Sequence, residues 1–65
     1  MKIEVNGEGK TVTGTTVAEV LAELGWGSAR VATALNGEFL PKAAREGTVL
    51  KDGDRLEVLA AMQGG

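Results

Sequence analysis

A two-layer α+β domain is the fold class this sequence predicts, and three observations predict it. MKIEVN at the start and RLEVLAA near the end alternate apolar and polar residues, the period of a half-buried strand. TTVAEVLAELG carries a helical apolar stripe, and no other stretch of this length does. NGEG, NG and KDGD break the remaining chain into short extended pieces. One helix covers one face of a sheet, which gives two layers. At 65 residues the chain is a single domain with a thin core, burying only about 60% of the surface its unfolded form exposes.

The elements follow in order. Met1, Ile3 and Val5 oppose Lys2, Glu4 and Asn6 in the first strand; NGEG turns, and KTVT resumes, so the first thirteen residues read as a hairpin. Thr16 with Glu19 three residues later is a capping-box pair, each side chain satisfying a free backbone donor of a helix start. Val17, Val20, Leu21 and Leu24 then form the buried stripe, and Gly25 sits where a left-handed residue ends a helix. Val31 to Leu35 is a strand, Asn36-Gly37 a turn, and Glu38 to Leu40 a short return. Pro41 suits the first position of a helical turn through PKAAR, closed by Gly47. Thr48 to Leu50 reads as a brief edge strand. KDGD turns into the last strand, where Leu56, Val58 and Ala60 alternate with Arg55, Glu57, Leu59 and Ala61.

Composition excludes several classes of function. Seven basic and nine acidic residues give a net charge of −2, and the bases are scattered singly. A nucleic-acid surface needs them clustered. MKIEVNG lacks the apolar region of a signal peptide, and no apolar run is long enough to span a bilayer. The expectation is a cytoplasmic protein with no membrane partner, monomeric when free. Zero cysteines leave no disulfide framework and no thiolate metal site.

Side-chain catalysis needs a base, an acid or a nucleophile, and here there is no His, no Cys and a lone serine, Ser28. The chain is therefore not expected to be an enzyme or to hold a metal or cofactor. Asp52 and Asp54 flank Gly53, where Asp favours local backbone bonding; a hard cation would want more oxygen ligands. Gly9-Lys10-Thr11 imitates the end of a phosphate-binding loop, but position 4 is Glu where that loop needs Gly. A strand-like KTVT follows, rather than a helix whose N-terminus would hold the phosphate. Trp26 has two readings, a ring closing the end of the core or an exposed anchor for a partner.

One group is unusual by position, the α-carboxylate of Gly65. Its reference pKa of about 3.3–3.7 keeps it ionised at neutral pH. A carboxylate acylates nothing until it is activated, typically by attack on the α-phosphate of ATP. Glycines at 64 and 65 let the backbone approach a nucleotide or another backbone closely. Residues 1–61 are read as the domain and 62–65 as a flexible tail. Fully extended, Met62, Gln63, Gly64 and Gly65 reach ~13 Å beyond the last strand.

The element order, the DGD turn before a final strand, ALNGEFLPKAAREGTVLKDGDRLEVL and the ending MQGG together resemble the ubiquitin-like sulfur carriers. The likeness is closest to the sulfur carriers of thiazole formation in thiamine biosynthesis; it covers the whole chain and is strongest from Val31 onward. It implies a β-grasp fold, a mixed four- to five-stranded sheet on one main helix, with the last strand central and parallel to the first. It also implies a carrier rather than a catalyst. The same resemblance implies that an ATP-dependent activating enzyme adenylates Gly65, that a cysteine desulfurase relay supplies sulfur to give a thiocarboxylate, and that a thiazole synthase consumes it.

Docking of those partners is expected on the sheet face the helix leaves bare. If Leu56 and Val58 face the core, Leu59 is left outward with Ala61, a docking contact or an ordinary surface leucine. Two related readings share the diglycine chemistry: the small subunit of molybdopterin synthase, and a covalent modifier passed to lysine amines. An interaction module with an incidental tail is a third. A β-grasp [2Fe–2S] ferredoxin is excluded, since it needs four Cys ligands.

Overall fold

Alternation, turn chemistry and one amphipathic helix are enough to assemble a five-stranded sheet with a helix laid across it. The structure is a computed structural model, and it describes residues 1–27 and 29–60. The strands are β1 (Lys2–Val5), β2 (Glu8–Thr11), β3 (Val31–Leu35), β4 (Glu38–Leu40) and β5 (Arg55–Ala60). The helix α1 spans Val17–Glu23, and a 3₁₀ helix spans Lys42–Gly47. The sheet order is β2-β1-β5-β3-β4. β5 lies in the middle, parallel to β1 and antiparallel to β3, while β1–β2 and β3–β4 are hairpins. The two-layer α+β expectation and the central parallel strand are both met.

Both hairpins turn on an Asn-Gly pair. Asn6 and Gly7 have φ of 51° and 84°, and Asn36 and Gly37 have 51° and 87°. That is the doubly left-handed conformation a two-residue hairpin needs, and Asn and Gly tolerate it best. The first turn is tighter than the expected NGEG, because Glu8 already pairs with Val5 in β2.

The helix start is the capping box the sequence spells. Glu19 N–H donates to Thr16 Oγ1 at 3.2 Å, and Thr16 N–H donates to Glu19 Oε1 at 3.1 Å. Gly25 has φ of 98° just past the helix, where the left-handed residue was expected. Glu23 reaches back from the last turn to accept from the backbone N–H groups of Thr13 and Gly14, tying the β2–α1 connection to the helix. Those donors, Thr13 first, hold the Glu23 carboxyl below its ordinary value of 4.5. The N–H groups of Thr15 and Thr16 do the same for Glu19.

The core is Ile3 and Val5 from β1, Val12, the Val17/Val20/Leu21 stripe of α1, Leu50, and Leu56 and Val58 from β5. Leu24 and Trp26 pack at its edge, half-buried. Full burial of each aliphatic side chain contributes about 1.5–3 kcal/mol. Met1, expected with Ile3 and Val5, remains 36% exposed at the strand's start, and Ala60 is exposed at the other end.

Two local readings need correction. Thr48–Leu50 is not an edge strand. The sheet's edges are β2 and β4, and this segment instead lies against the entry to α1. Val17 N–H donates to Thr48 O at 3.0 Å, Leu50 N–H donates to Thr15 O at 2.8 Å, and Thr16–Val49 is an isolated bridge. That placement buries Leu50 and leaves Val49 outside. Pro41 stands one residue before the 3₁₀ helix as its N-cap, and Gly47 is the last residue inside that helix.

Candidate functional site

β5 lies at the centre of the sheet and is the last described element of the chain. Asn36 and Asn6, the first residues of the two turns, each hold one stretch of it. Asn36 Oδ1 accepts from Arg55 N–H at 2.9 Å, and its backbone N–H donates to Arg55 O at 2.8 Å. Its side-chain amide donates to Asp54 Oδ1 at 3.1 Å. Asn6 replaces β1 where that strand has ended. Its backbone N–H donates to Leu56 O, its Nδ2 donates to Val58 O at 3.0 Å, and its Oδ1 accepts from Val58 N–H at 2.8 Å. The side-chain amide thus imitates one more residue of a parallel neighbour.

With Leu56 and Val58 turned toward α1, Leu59 faces away from it and is 68% exposed, as alternation requires. Its register partner on β3 is Ala32, and one rung back Ala34 stands between Glu57 of β5 and Phe39 of β4. Phe39 is 72% exposed on this same face. The bare face therefore presents an apolar diagonal, Leu59 to Phe39, across two small alanines. Scattered single apolar residues are ordinary on a surface; here two large ones share one sheet face. The docking expectation for Leu59 omitted Phe39. Alternation within EFL carries the signal, since Leu40 packs on the core and Phe39 must then point outward. Ala61, Met62, Gln63, Gly64 and Gly65, the other expected site residues, lie outside the described residues.

The remaining polar candidates have structural work. Asp52 Oδ1 accepts from Lys2 N–H at 2.8 Å, and Asp54 Oδ2 accepts from Lys51 N–H at 2.8 Å. The Lys51 donor, then the Asn36 amide, hold Asp54 below its ordinary 3.8. Asp54 thus bonds locally within its turn, as expected, whereas Asp52 instead ties the turn to the start of β1; among the described residues no acidic cluster could hold a metal ion. Gly9, Lys10 and Thr11 all lie within β2 and open no helix. Trp26 packs on the core with part of its surface, as the first of its two readings expects, and lines an external groove with the rest. No helix among the described residues is long and apolar enough to cross a membrane.

One helix on a mixed sheet whose last strand lies centrally beside the first defines a β-grasp domain of the ubiquitin-like class. The comparisons take the identification one step further. The chain matches the model of the ThiS family over residues 3–65, and it belongs to that family. It is 43% identical over 61 residues to the sulfur carrier protein ThiS of Thermus thermophilus, covering 94% of this chain and 95% of that one. It is also 39% identical over 66 residues to a protein of Paramagnetospirillum magneticum named thiazole synthase, and spans a fifth of that relative's length. A crystal structure of the thiamine biosynthesis protein ThiS from Geobacter metallireducens superposes with a TM-score of 0.84 at 42% identity, each chain covered completely. The solution structure of a Geobacter metallireducens thiamine biosynthesis protein gives 0.78 at 40% identity, with 88% of that chain covered.

Proposed function

We propose that the chain is a sulfur carrier of thiamine biosynthesis whose cargo is attached at the Gly65 carboxylate. The observation that carries this reading is the family match, which runs through the final glycine, joined to the near-complete coverage of a relative named as a sulfur carrier. The chemistry follows from the terminal group. The carboxylate of Gly65 attacks the α-phosphorus of ATP in an activating enzyme, and pyrophosphate leaves. A persulfide sulfur from a cysteine desulfurase relay attacks the resulting acyl-adenylate, and AMP leaves. A second thiol then forms a disulfide with the donor and releases the thiocarboxylate, which a thiazole synthase consumes. The relative named thiazole synthase, of which this chain spans one fifth, supports pairing with such a synthase. Apart from that terminal carboxylate the carrier is assigned no base or nucleophile; its part is to be gripped and to present its terminus.

The Leu59–Phe39 face is the proposed grip for the activating enzyme, and Asn6 fixes the direction in which β5 hands over to Ala61, Met62, Gln63 and Gly64. Intact mass of the protein from its native cell tests the reading. A species heavier by the difference between sulfur and oxygen, located on Gly65, is expected. A chain with one alanine added after Gly65 is expected to lose adenylation completely; full activity in that chain would overturn the proposal.

A further inference from the structure

A groove of about 1020 Å³ lies between α1, the loop after it and the 3₁₀ helix, opens at the end of β5, and takes in Ala32 and Leu59 at the margin of the bare sheet face. Leu21, Trp26 and Val31 give it apolar walls, and Ala60 lies on its margin. Its charge is opposite to that of the protein. Arg30, Lys42 and Arg45 line it against a single carboxylate, Glu46, in a chain whose net charge is −2. Among the described residues the one ion pair is Lys10–Glu8, on the far edge strand, and no carboxylate of those residues pairs with any of the three cations.

Arg45 is the least ordinary of them, because it is only 8% exposed. Its fold role is legible. β4 is three residues long and stops opposite Thr33, leaving the first residues of β3 without a strand on that side. Arg45 Nη2 fills the gap by donating to Val31 O at 2.6 Å, and Nε donates to Thr33 Oγ1 at 3.0 Å. Those acceptors are neutral. The floor of the groove therefore carries the guanidinium's positive charge, held where solvent screens it poorly.

We infer that this groove seats an acidic, apolar-tipped segment of the thiazole synthase. The inference rests on the carrier reading, since a protein that receives the terminus of this chain must stand at the end of β5, where the groove opens. Three cations around apolar walls suit a peptide with two or three carboxylates beside one apolar side chain. They are too few, on a chain of net negative charge, to hold a nucleic acid. Complementary charge steers the encounter and sets its salt dependence, while the apolar contact with Trp26 supplies holding.

The test titrates unlabelled thiazole synthase from the same organism into ¹⁵N-labelled carrier. Trp26 is the only tryptophan, so its indole N–H reports the groove even inside the complex. The indole and the Arg30, Lys42 and Ala60 amides should shift. The double variant Arg30→Glu/Lys42→Glu, at two exposed rim positions, should bind at least about tenfold more weakly, with a flattened salt dependence, and unfold at an unchanged temperature. An unmoved indole with variant affinity within about twofold of the unaltered chain overturns the inference while leaving the carrier reading intact, provided the unaltered chain binds. Failure of the unaltered chain to bind the synthase removes both. A chain ending at Ala60 is the remaining control. If its free Trp26 signal differs from that of the full chain, and Arg30→Glu/Lys42→Glu removes the difference, the groove holds this chain's own terminus and the inference is again overturned.

Discussion

The two faces of the sheet are drawn from the same strands and carry opposite assignments. Toward α1, β5 turns Leu56 and Val58 into the core. Away from it, the same strand turns out Leu59, and β4 adds Phe39. Period two allows this without compromise, because adjacent residues never share a face. A small chain can thus keep stability on one parity and leave the other free for the contact proposed above. The division predicts that substitutions will sort by parity rather than by position along β5.

The largest effect expected is on the covered face. Leu56→Ala should cost about 2–5 kcal/mol in denaturant unfolding, since it opens a cavity in a core with little to spare. Leu59→Ala, three residues on, should change stability by less than about 0.5 kcal/mol. If the two costs are equal, the faces are not divided as described. On the open face, Leu59→Asp or Phe39→Asp should weaken association with the activating enzyme by about 1–2 kcal/mol each, read as slowed ATP–pyrophosphate exchange at low carrier concentration. Unchanged exchange in both variants would reduce the diagonal to ordinary surface.

Smaller effects sharpen the comparison. Thr16→Ala removes the acceptor of the capping box and should cost about 1 kcal/mol, visible in thermal unfolding but not in exchange rates. The pH dependence comes last. Glu19, Glu23 and Asp54 have folded values lowered by backbone donors. Each therefore contributes stability that is fully present above its ordinary value, 4.5 for the two glutamates and 3.8 for Asp54. That stability is lost as pH falls from those values through the lower folded ones. Unfolding followed by circular dichroism should show a modest acid decline, shallower in Glu23→Gln. An identical slope in that variant would remove Glu23 from the account.

What was legible in the sequence is what local chemistry decides. The Thr16/Glu19 box, the Val17–Leu21 stripe, both Asn-Gly turns and the parity of RLEVLA are each written in adjacent or helically spaced residues, and each holds. What was not legible depends on distant partners. Thr48–Leu50 has strand-like residues, yet it pairs with Thr15–Val17, about thirty positions away, and no local pattern announces that. Arg45 reads as a surface base in a helical turn, and its burial follows from how short β4 is on the other side of the turn. Phe39 was readable from alternation, but its partnership with Leu59 required the strand order. The central parallel placement of β5 came from family resemblance, since spacing alone does not order a sheet.

The position of β5 has one more consequence, and it is mechanical. A partner that takes hold of the chain's last residues and draws them into a channel loads β5 along its own axis. β5 is flanked by β1 on one side and β3 on the other, and the Asn6 amide adds two bonds at Val58. A pull in that direction shears both ladders at once instead of peeling one bond at a time, so the load is shared across the whole strand. The β2 and β4 edges would unzip under a comparable tug at their ends. If the chain is handled by its terminus as proposed, it is tethered through the strand best placed to resist traction.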